Sequence, residues 1–498
     1  DLVSCGKEWL DEPHLPLWIS ALSFKLFGIN SFAYVFPGFL FHLLGAYYTY
    51  RLAKHLYNSE VGLISVLLYV TSLHLLFSAI DVRAEAYLLG QIMPACYYWL
   101  CYDRNSNIKA LLLASLFTAM AMMTKGLFVV VTIFSGVFCS WLYTRQFKRI
   151  YAPKWLLAYG LCLLFILPEL ICLYIQFDLH PEKTVFGQQQ ISGLKWYFWD
   201  SQFGRFFNSG PIVNTKGNPF FFVHTFLWAF LPWSMIFILA SWRQLRDFRL
   251  RSHSQNARVV YLLASFWLTF IMFSATRFQL DHYTNIIIPF ASIVCAAYLQ
   301  DNLQMLRKLA SFQRGLSLFM LIMSAGLFVY LFRFTPPVSG GIIAVILIAL
   351  MFKKTELSYL EQCLVYPSLA IVVIFGLVLS VNYYICRSYD VGYNVAQQVN
   401  NLPPAPLYDM DYSSTPLEFH LKYPYWRVDD VTQLPKTGNY YVFLKRQDWL
   451  DGSKKLNKFQ YAPVIDFCGA TIDKVLRAYN NYAKLQSRLT CYTVFKHE

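Results

Sequence analysis

A carboxylate and a guanidinium lie two residues apart in the stretch Asp81-Val-Arg-Ala-Glu85, which joins two long apolar segments. The stretch is so short that Arg83 and Glu85 must stay at the boundary of those segments. A carboxylate fixed beside a cation can act as a general base or orient a hydroxyl group. The alternative, which the spacing leaves open, is a helix cap or a pair of snorkelling charges at a membrane edge.

A single lysine interrupts the apolar run 110–144 at Thr124-Lys125-Gly126. Gly126 allows a tight turn at this point, because glycine accepts backbone angles that other residues avoid. The ammonium group of Lys125 could neutralise a phosphate. A role as a topology marker is the alternative.

Two further polar stretches carry cations beside aromatic rings. Arg205 lies in Gln202-Phe-Gly-Arg-Phe-Phe, within the long polar loop 177–219, and is suited to a sugar or a phosphate. A surface cation–π contact would explain it equally well. The stretch Arg277-Phe-Gln-Leu-Asp-His-Tyr283 holds more polar groups than a short connector needs for solubility, although a helical hairpin could hold them for structure alone.

The apolar segments between these stretches predict an all-α polytopic membrane protein. The sequence is 57% hydrophobic and 14% charged, with a mean hydropathy of +0.40, which is too apolar for an ordinary soluble domain. Segments long enough to cross a bilayer number about twelve. They lie near 31–50, 61–80, 86–102, 110–123, 127–144, 155–176, 220–241, 259–275, 283–299, 315–333, 340–352 and 364–385.

The charges predict the orientation of these segments. Lysine and arginine are concentrated in alternate loops, around Arg51, Arg104, Arg145, Arg243, Arg307 and Lys353, and the positive-inside rule makes that side cytoplasmic. The polar stretches described above then share the opposite face. Because the chain begins on that face, we expect a further span before Asp1. The net charge of +14 is explained by the basic loops on the cytoplasmic side. The basic residues are dispersed among these loops and do not form one cluster, which excludes a nucleic-acid-binding surface.

The composition changes after residue 385, where short alternating segments follow three closely spaced prolines. Residues 386–498 predict a small α/β domain on the extracytoplasmic side, and residues 1–385 the transmembrane domain. Cys468 and Cys491 lie in this domain, where a disulfide could persist, and the sequence leaves their pairing open. No His, Cys, Asp or Glu spacing in the sequence predicts a metal site, and dependence on a divalent metal stays open.

Several segments together resemble the polyprenyl-phosphate-sugar-dependent GT-C glycosyltransferases, a group that includes the aminoarabinose lipid A transferase and protein O-mannosyltransferase-like enzymes. The segment 6–18 is similar to that family's G-K-x-Y-x-E-K-P-P-L-x-x-W. Similar landmarks follow in the family's order: Asp81-Val-Arg-Ala-Glu85 for its R-x-D loop, Met123-Thr-Lys-Gly126 for its T-K-G turn, and then Gly204-Arg-Phe206, Leu231-Pro-Trp233 and Leu280-Asp-His-Tyr283.

The resemblance implies an inverting glycosyltransferase that takes its sugar from a polyprenyl-phosphate donor and gives it to a lipid A, glycolipid or protein acceptor. It implies a catalytic role for Glu85. The implied donor or phosphate contacts are Arg83, Lys125, Arg205, Arg277, His282 and Tyr283. The chain departs from the family where Glu12 replaces a lysine, and the family's first span and its acidic motif would precede Asp1.

The same resemblance implies a bacterial inner (plasma) membrane protein whose site and C-terminal domain face the periplasm. A multi-pass transporter or flippase is the alternative function, and it predicts charges near the middle of the membrane and repeated halves. The sugar, the acceptor and the oligomeric state stay open.

Overall fold

The computed structural model describes residues 2–4, 7–214, 217–250, 252–332, 345, 357–410, 415–450, 461–469, 475 and 485–497. The chain divides into two compact units. The first comprises Asp1–Leu2, Trp9–Phe319 and Lys354–Val372, and the second comprises Val3–Glu8, Met320–Lys353 and Val373–Glu498. The predicted segment 340–352 lies almost entirely outside the described residues.

The first unit is helical. Its α-helices are α1 (Leu15–Phe27), α2 (Ser31–Leu56), α3 (Ser59–Val70), α4 (Leu73–Ser78), α5 (Ala84–Asn105), α6 (Ile108–Lys125), α7 (Val129–Tyr143), α8 (Pro153–Phe165), α9 (Leu167–Leu173), α10 (Gly193–Lys195), α11 (Ser201–Phe207), α12 (Phe221–Ala229), α13 (Ser234–Arg246), α14 (His253–Ala275) and α15 (Ile288–Asp301). Short 3-10 segments are Phe147–Arg149, Asp247–Arg249 and Asp281–Ile287, and π-helical segments are Tyr174–Asp178 and Trp196–Asp200. Two longer helices, α16 (Leu303–Phe332) and α17 (Tyr359–Tyr389), have residues in both units.

Asparagine side chains start three of the long helices. Asn30, Asn58 and Asn107 precede α2, α3 and α6, and each accepts a hydrogen bond from a backbone N–H of the first turn. Such caps satisfy donors that the helix itself leaves without a partner. The sequence therefore sets where these helices begin.

Five helices or helix runs in the described residues are long and apolar enough to cross a membrane: Ile108–Lys125, Pro153–Asp178, His253–Ala275, Asp281–Asp301 and Tyr359–Ser380. A sixth span results if α12 and the following Ser234–Arg249 count as one, although they are bent by 113°. The break contains Pro232, which has no backbone N–H to continue a helix. The predominantly helical membrane fold agrees with the prediction, whereas the count of about twelve spans stays a prediction.

The run Asp281–Asp301 is the centre of the first unit, because its span window is completely buried. Helices α2 and α5 pack closely at Gly90, where a Cβ atom would collide with the backbone of Phe41. Small residues let apolar helices approach in this way. The close contact fixes the start of α5, which carries Glu85, against the helices around it.

The second unit contains two separate sheets. One is the hairpin of β1 (Val3–Ser4) and β2 (Lys7–Glu8). The other, in the C-terminal domain, consists of β3 (Leu407–Asp409), β4 (Tyr425–Arg427), β5 (Tyr441–Lys445), β6 (Tyr461–Gly469) and β7 (Thr490–His497). The five C-terminal strands have the order β4-β3-β5-β7-β6, with β3 parallel to β4 and β5 and the remaining pairs antiparallel. The second unit also contains three short helices and a 3-10 turn. They are α18 (Val391–Val399), α19 (Thr415–His420), α20 (Arg446–Leu450) and the turn Val431–Gln433.

A disulfide joins Cys468 of β6 to Cys491 of β7, which settles the pairing that the sequence left open. The two cysteines are directly opposite each other in the antiparallel ladder. The mixture of strands and helices after residue 386 agrees with the predicted domain, while its boundary at 385/386 and its extracytoplasmic location stay predictions. Buried Val395, Leu407, Phe443 and Val494 are part of its apolar core.

Candidate active site

The predicted carboxylate and the predicted lysine meet in the first unit. Helices α5 and α6 are packed side by side, and Glu85 lies in the first turn of α5 while Lys125 ends α6. The Lys125 Nζ is 3.0 Å from the Glu85 Oε1, and Glu85 is only 2% exposed. A negative charge at a helix start and a positive charge at a helix end both interact favourably with the helix dipoles. Helix ends thus hold this buried ion pair in place.

Gly126 permits the turn that ends α6. Its φ is 89°, in the region that favours glycine, and its N–H donates to the Met122 carbonyl over 2.7 Å. A Cβ atom at this position would also collide with the side chain of Gln202. The turn therefore places Lys125 and Gln202 beside each other.

The central helical run presents two of the predicted residues to this ion pair. The His282 Nε2 is 3.8 Å from the Glu85 Oε1, and the Tyr283 ring lies 5.2 Å from the Lys125 Nζ. Both side chains are buried, at 8% exposure each. The Lys125 ammonium is therefore held between a carboxylate and the face of an aromatic ring.

Arg83 and Asp281 both contact one ring nitrogen of His282. The Arg83 guanidinium lies 2.8 Å from the His282 Nδ1 and also forms an ion pair of 3.0 Å with Asp81, while the Asp281 Oδ1 lies 3.1 Å from the same Nδ1. Since a guanidinium only donates hydrogen bonds and a carboxylate only accepts them, either tautomer of a neutral His282 has a partner at Nδ1. The Nε2 faces Glu85. Arg83 thus acts behind the carboxylate, through the imidazole.

A second histidine, His74, extends this cluster of polar side chains on the side away from Glu85. The Asp281 Oδ1 lies 3.1 Å from the His282 Nδ1, and the Asp281 Oδ2 lies 3.8 Å from the His74 Nε2. His74 Nδ1 is in turn hydrogen-bonded to the side chain of Asn285. These contacts show that His74 is a packed, hydrogen-bonded residue.

Arg205 projects from α11 toward the same region. Its guanidinium forms an ion pair with Asp11 and lies 5.7 Å from the Phe278 ring centre. Tyr197, just before α11, donates its hydroxyl to the Met122 carbonyl over 3.0 Å and so ties this loop to the end of α6. Burial, reinforced by the charge of Glu169, raises the pKa of Tyr197 well above its usual value, so the hydroxyl stays a donor.

The partner of Arg205 is itself held by a buried clamp. The Glu169 carboxylate, which is fully buried, accepts from the backbone N–H of His14 over 3.1 Å and lies 2.9 Å from the His14 Nδ1. These bonds join α9 to the segment that carries Asp11. The polar N-terminal segment is therefore fixed over the ends of α6 and α11.

Two narrow cavities meet at these charges, one of about 50 Å³ and one of about 20 Å³. They share a wall made of Lys125, Ser201, Gln202 and Arg205. The larger is mostly apolar, and besides Glu85 and Tyr283 it is lined by Leu88, Phe128, Val129, Phe206, Phe273, Thr276, Phe278 and Ile286. The smaller is more polar, with Asp11, Glu12, Thr124 and Glu169 among its lining residues. The cationic side chains of Lys125 and Arg205 therefore lie between a mostly apolar cavity and an acidic cavity.

The structure brings some of the predicted site residues to the larger cavity and leaves others outside it. Glu85, Lys125, Arg205 and Tyr283 line the larger cavity, and His282 and Arg83 lie behind Glu85. Arg277 is exposed and lines neither cavity; its backbone N–H donates to the Phe206 carbonyl. Its predicted role in binding the leaving phosphate therefore has no support from its position.

Sequence reasoning missed several polar residues of the site, namely Asp11, His14, Ser201, Gln202 and the clamp role of Glu169. Asp11 and His14 belong to the motif at 6–18, and Gln202 lies three residues before Arg205, so neighbouring motifs carried a signal for them. For Glu169, the sequence signal was limited to a charged residue within an apolar run. Among the described residues, no group of three or more His, Cys, Asp or Glu could hold a metal ion.

Comparison with known proteins agrees with the resemblance predicted from the motifs. The family model for dolichyl-phosphate-mannose-protein mannosyltransferases matches residues 11–172, about a third of the chain. An uncharacterized protein of Aquifex aeolicus (strain VF5) is 24% identical over 358 residues, or 71% of this chain. The undecaprenyl phosphate-alpha-4-amino-4-deoxy-L-arabinose arabinosyl transferase 2 of Proteus mirabilis (strain HI4320) is 24% identical over 286 residues, or 55% of this chain. The chain covers 65% and 47% of those two relatives, less than two thirds of each.

Among solved structures, the crystal structure of ArnT from Cupriavidus metallidurans bound to undecaprenyl phosphate has a TM-score of 0.68 and 16% sequence identity. The match covers 98% of this chain and 88% of ArnT. The apo structure of the same protein gives the same TM-score. The chain therefore has the GT-C fold, and it is similar to the aminoarabinose transferases within that class.

Proposed function

We propose that this chain is an inverting glycosyltransferase that moves a sugar from a polyprenyl-phosphate donor to a lipid A, glycolipid or protein acceptor. The observation that carries the proposal is the buried Glu85 carboxylate, paired with Lys125 in the wall of a largely apolar cavity. Glycosyl transfer to a hydroxyl acceptor can use both charges, because the carboxylate can activate the acceptor and the cation can stabilise the departing phosphate. The similarity to aminoarabinose transferases and to the mannosyltransferase family supports the same choice.

The donor phosphate would bind between Lys125 and Arg205, the two cations that line the larger cavity. The apolar residues of that cavity suit the first part of a lipid chain, since they are mainly phenylalanine, leucine and isoleucine. ArnT from Cupriavidus metallidurans was crystallised with undecaprenyl phosphate, which supports a lipid phosphate as the carrier. A phosphate in this position would compete with Glu85 for the Lys125 ammonium and release the carboxylate for catalysis.

The transfer step would proceed by a single displacement. The acceptor oxygen attacks the anomeric carbon, the bond from that carbon to the phosphate oxygen breaks, and the bonding electrons leave with the lipid phosphate. With a hydroxyl acceptor, Glu85 takes the proton; with a phosphate acceptor, no proton has to move. His282 presents its Nε2 to Glu85 at 3.8 Å and Arg83 holds His282, so both are positioning residues, while the Tyr283 ring supports Lys125.

The acceptor would approach on the side of the acidic cavity, and we infer that this face is extracytoplasmic. The support is the charge pattern of the loops, which favours the extracytoplasmic side for the polar stretches and the C-terminal domain. The resemblance to the glycosyltransferases implies that this side is the periplasm of a bacterial inner membrane. The buried ion pair lies at helix ends, as this function requires, whereas a transporter would need charges near the middle of the membrane.

The test measures the transfer of radiolabel from a polyprenyl-phosphate sugar in membranes prepared from cells that express the full-length protein. We expect Glu85→Gln and Lys125→Ala each to lower the rate by at least about tenfold, because each removes a group that contacts the reacting atoms. Matched controls are Glu60→Gln and Lys109→Ala, since both residues are exposed and Lys109 lies at the opposite end of α6. Full activity in both site variants at normal expression would rule out this active site.

A further inference from the structure

A third cavity, much wider than the other two, lies in the long polar loop of the first unit. Its volume is about 710 Å³, within the range of about 300–1,000 Å³ that is typical of small-molecule sites. We call it the loop groove. Its lining residues are Gln188, Gln189, Gln190, Ile191, Ser192, Lys195, Trp196, Trp199, Asp200, Phe203, Gly204, Phe207, Ser209, Gly210 and Pro211.

Helix α11 is the wall between the loop groove and the catalytic cavities. Ser201, Gln202, Arg205 and Phe206 line the catalytic side, while Phe203, Gly204 and Phe207 line the groove. This alternation is what a helix produces when residues three and four positions apart share a face. Trp196 lines both the groove and the acidic cavity. A molecule in the groove is thus one helix away from Arg205.

Aromatic rings and amides dominate the lining. Trp199 is 59% exposed, and its ring centre lies 4.4 Å from that of Phe203. Three consecutive glutamines supply amide donors and acceptors on the same groove. An apolar ring face beside neutral hydrogen-bonding groups suits a sugar ring, which has an apolar C–H face and a rim of hydroxyl groups.

The charges of the groove cancel. The Lys195 Nζ lies 3.8 Å from the Asp200 Oδ2, so the cation already has an anionic neighbour. Two cations, Lys125 and Arg205, line the catalytic cavities, whereas Lys195 is the one cation among the described residues that line the groove, which makes a phosphate the less suitable ligand there. A lipid chain would displace water from the exposed amides of Gln188 and Gln190 without replacing its hydrogen bonds, although Gln189 already donates to the Glu182 carbonyl. The lining therefore favours a neutral, polyhydroxylated ligand.

We propose that the loop groove binds a neutral saccharide and holds the glycan of the acceptor near the transfer site. The statement that this glycan belongs to the acceptor rests on the proposed function. Binding of a saccharide to the groove can be measured independently of that function. The groove would then determine which acceptors the enzyme accepts, because its lining, and not the narrow catalytic cavity, contacts the sugar rings beyond the one that reacts.

Saturation-transfer difference NMR tests the proposal with the full chain in nanodiscs and without any donor. The probes are maltose, cellobiose and N,N′-diacetylchitobiose. We expect at least one of them to bind with a Kd of about 1 mM, and Trp199→Ala to weaken its binding about tenfold by removing the exposed stacking face. Trp242→Ala is the matched control, because Trp242 is 57% exposed and is not part of the groove; its Kd should equal that of the unaltered chain.

Phe207→Ala provides a second variant of the groove if Trp199→Ala does not fold, since Phe207 is 53% exposed in the lining. Absence of binding for all three probes, or equal binding by the Trp199 and Trp242 variants, would overturn the proposal. Brominated lipids address the competing occupant: if they quench the Trp199 contribution to the fluorescence and no saccharide binds, the groove contacts the membrane. Saccharide binding without sugar transfer in the radiolabel assay would refute the proposed function and leave the groove a saccharide site.

Discussion

The two faces of helix α11 border cavities of opposite character. On one face, cavities of about 50 and 20 Å³ are lined by buried or half-buried charges that pair with one another. On the other face, the groove of about 710 Å³ is lined by exposed rings, amides and charges that cancel. Fixed charges in a dry, narrow site can stabilise a developing charge, whereas a wide neutral surface can only recognise shape and hydroxyl groups. In the two roles proposed above, this difference separates reaction from recognition across a single helix.

Exchange of the two charges of the ion pair should have the largest effect. The single variant Glu85→Lys puts two cations together in a buried site and should cost about 3–5 kcal/mol of stability. The double variant Glu85→Lys/Lys125→Glu restores opposite charges, so thermal unfolding should recover in large part. Its transfer rate should nevertheless stay at least about 10³-fold low, because base and phosphate ligand have changed places.

The radiolabel assay and thermal unfolding in detergent measure the two effects separately. If the double variant recovers activity together with stability, the ion pair is structural, and the contrast between a reacting and a recognising face is wrong.

Arg205 gives the next largest effect. We expect Arg205→Ala to lower the transfer rate about 10²-fold, since it removes one donor to the departing phosphate, and Arg205→Lys to retain part of the activity because it keeps the charge. The matched control is Arg149→Ala. Arg149 also forms an ion pair with an aspartate, Asp103 at 2.7 Å, but it lies beside the last turn of α5, at the end opposite Glu85. Equal losses of activity in the Arg205 and Arg149 variants would mean that α11 contributes no catalytic cation.

Glu169 offers the smallest and most structural test, because a buried and an exposed His–Glu pair in the described part of the chain have nearly equal lengths. The buried pair joins Glu169 to His14 at 2.9 Å, and the exposed pair joins Glu182 to His180 at 3.0 Å. Glu169→Gln should lower the stability by about 1–3 kcal/mol, since a buried acceptor with two partners is weakened. Glu182→Gln should leave thermal unfolding unchanged, as expected for a solvated pair.

Activity provides a second readout for Glu169, since the clamp positions Asp11 beside Arg205. A change of KM or kcat in Glu169→Gln, at a temperature where the variant is fully folded, would support a positioning role. Identical unfolding of the Glu169 and Glu182 variants would show that the N-terminal segment is not fixed by this clamp.

The sequence predicts those parts of the candidate site that depend on local rules. Polar interruptions of apolar runs locate the helix ends, so the sequence alone puts Glu85 and Lys125 at one boundary. Their pairing could not be predicted, because it depends on the close packing of α5 and α6. The pairing of Arg205 with Asp11 spans 194 residues and the clamp of His14 by Glu169 spans 155, and neither has a local signal.

The fold was predictable to a similar extent. The apolar run 61–80 was expected to form one span, but the structure divides it into α3 and α4 at Thr71 and Ser72, and the run 220–241 is bent at Pro232. Hydropathy measures the apolar character of a segment and does not report such breaks. The loop groove was unpredictable for another reason: α11 has seven residues, which is too short for a periodic pattern to reveal two faces.

Helix α11 also has a mechanical consequence. Its seven residues form a rod of roughly 10 Å, and Phe203 and Arg205 project from opposite sides of that rod. Both side chains belong to one short helix, so a displacement of the helix on the Phe203 side displaces the guanidinium as well. In the proposed function, the strength with which Arg205 holds a phosphate then depends on how the opposite side of α11 is supported, and the hydrogen bond from Tyr197 to the Met122 carbonyl anchors the turn before α11.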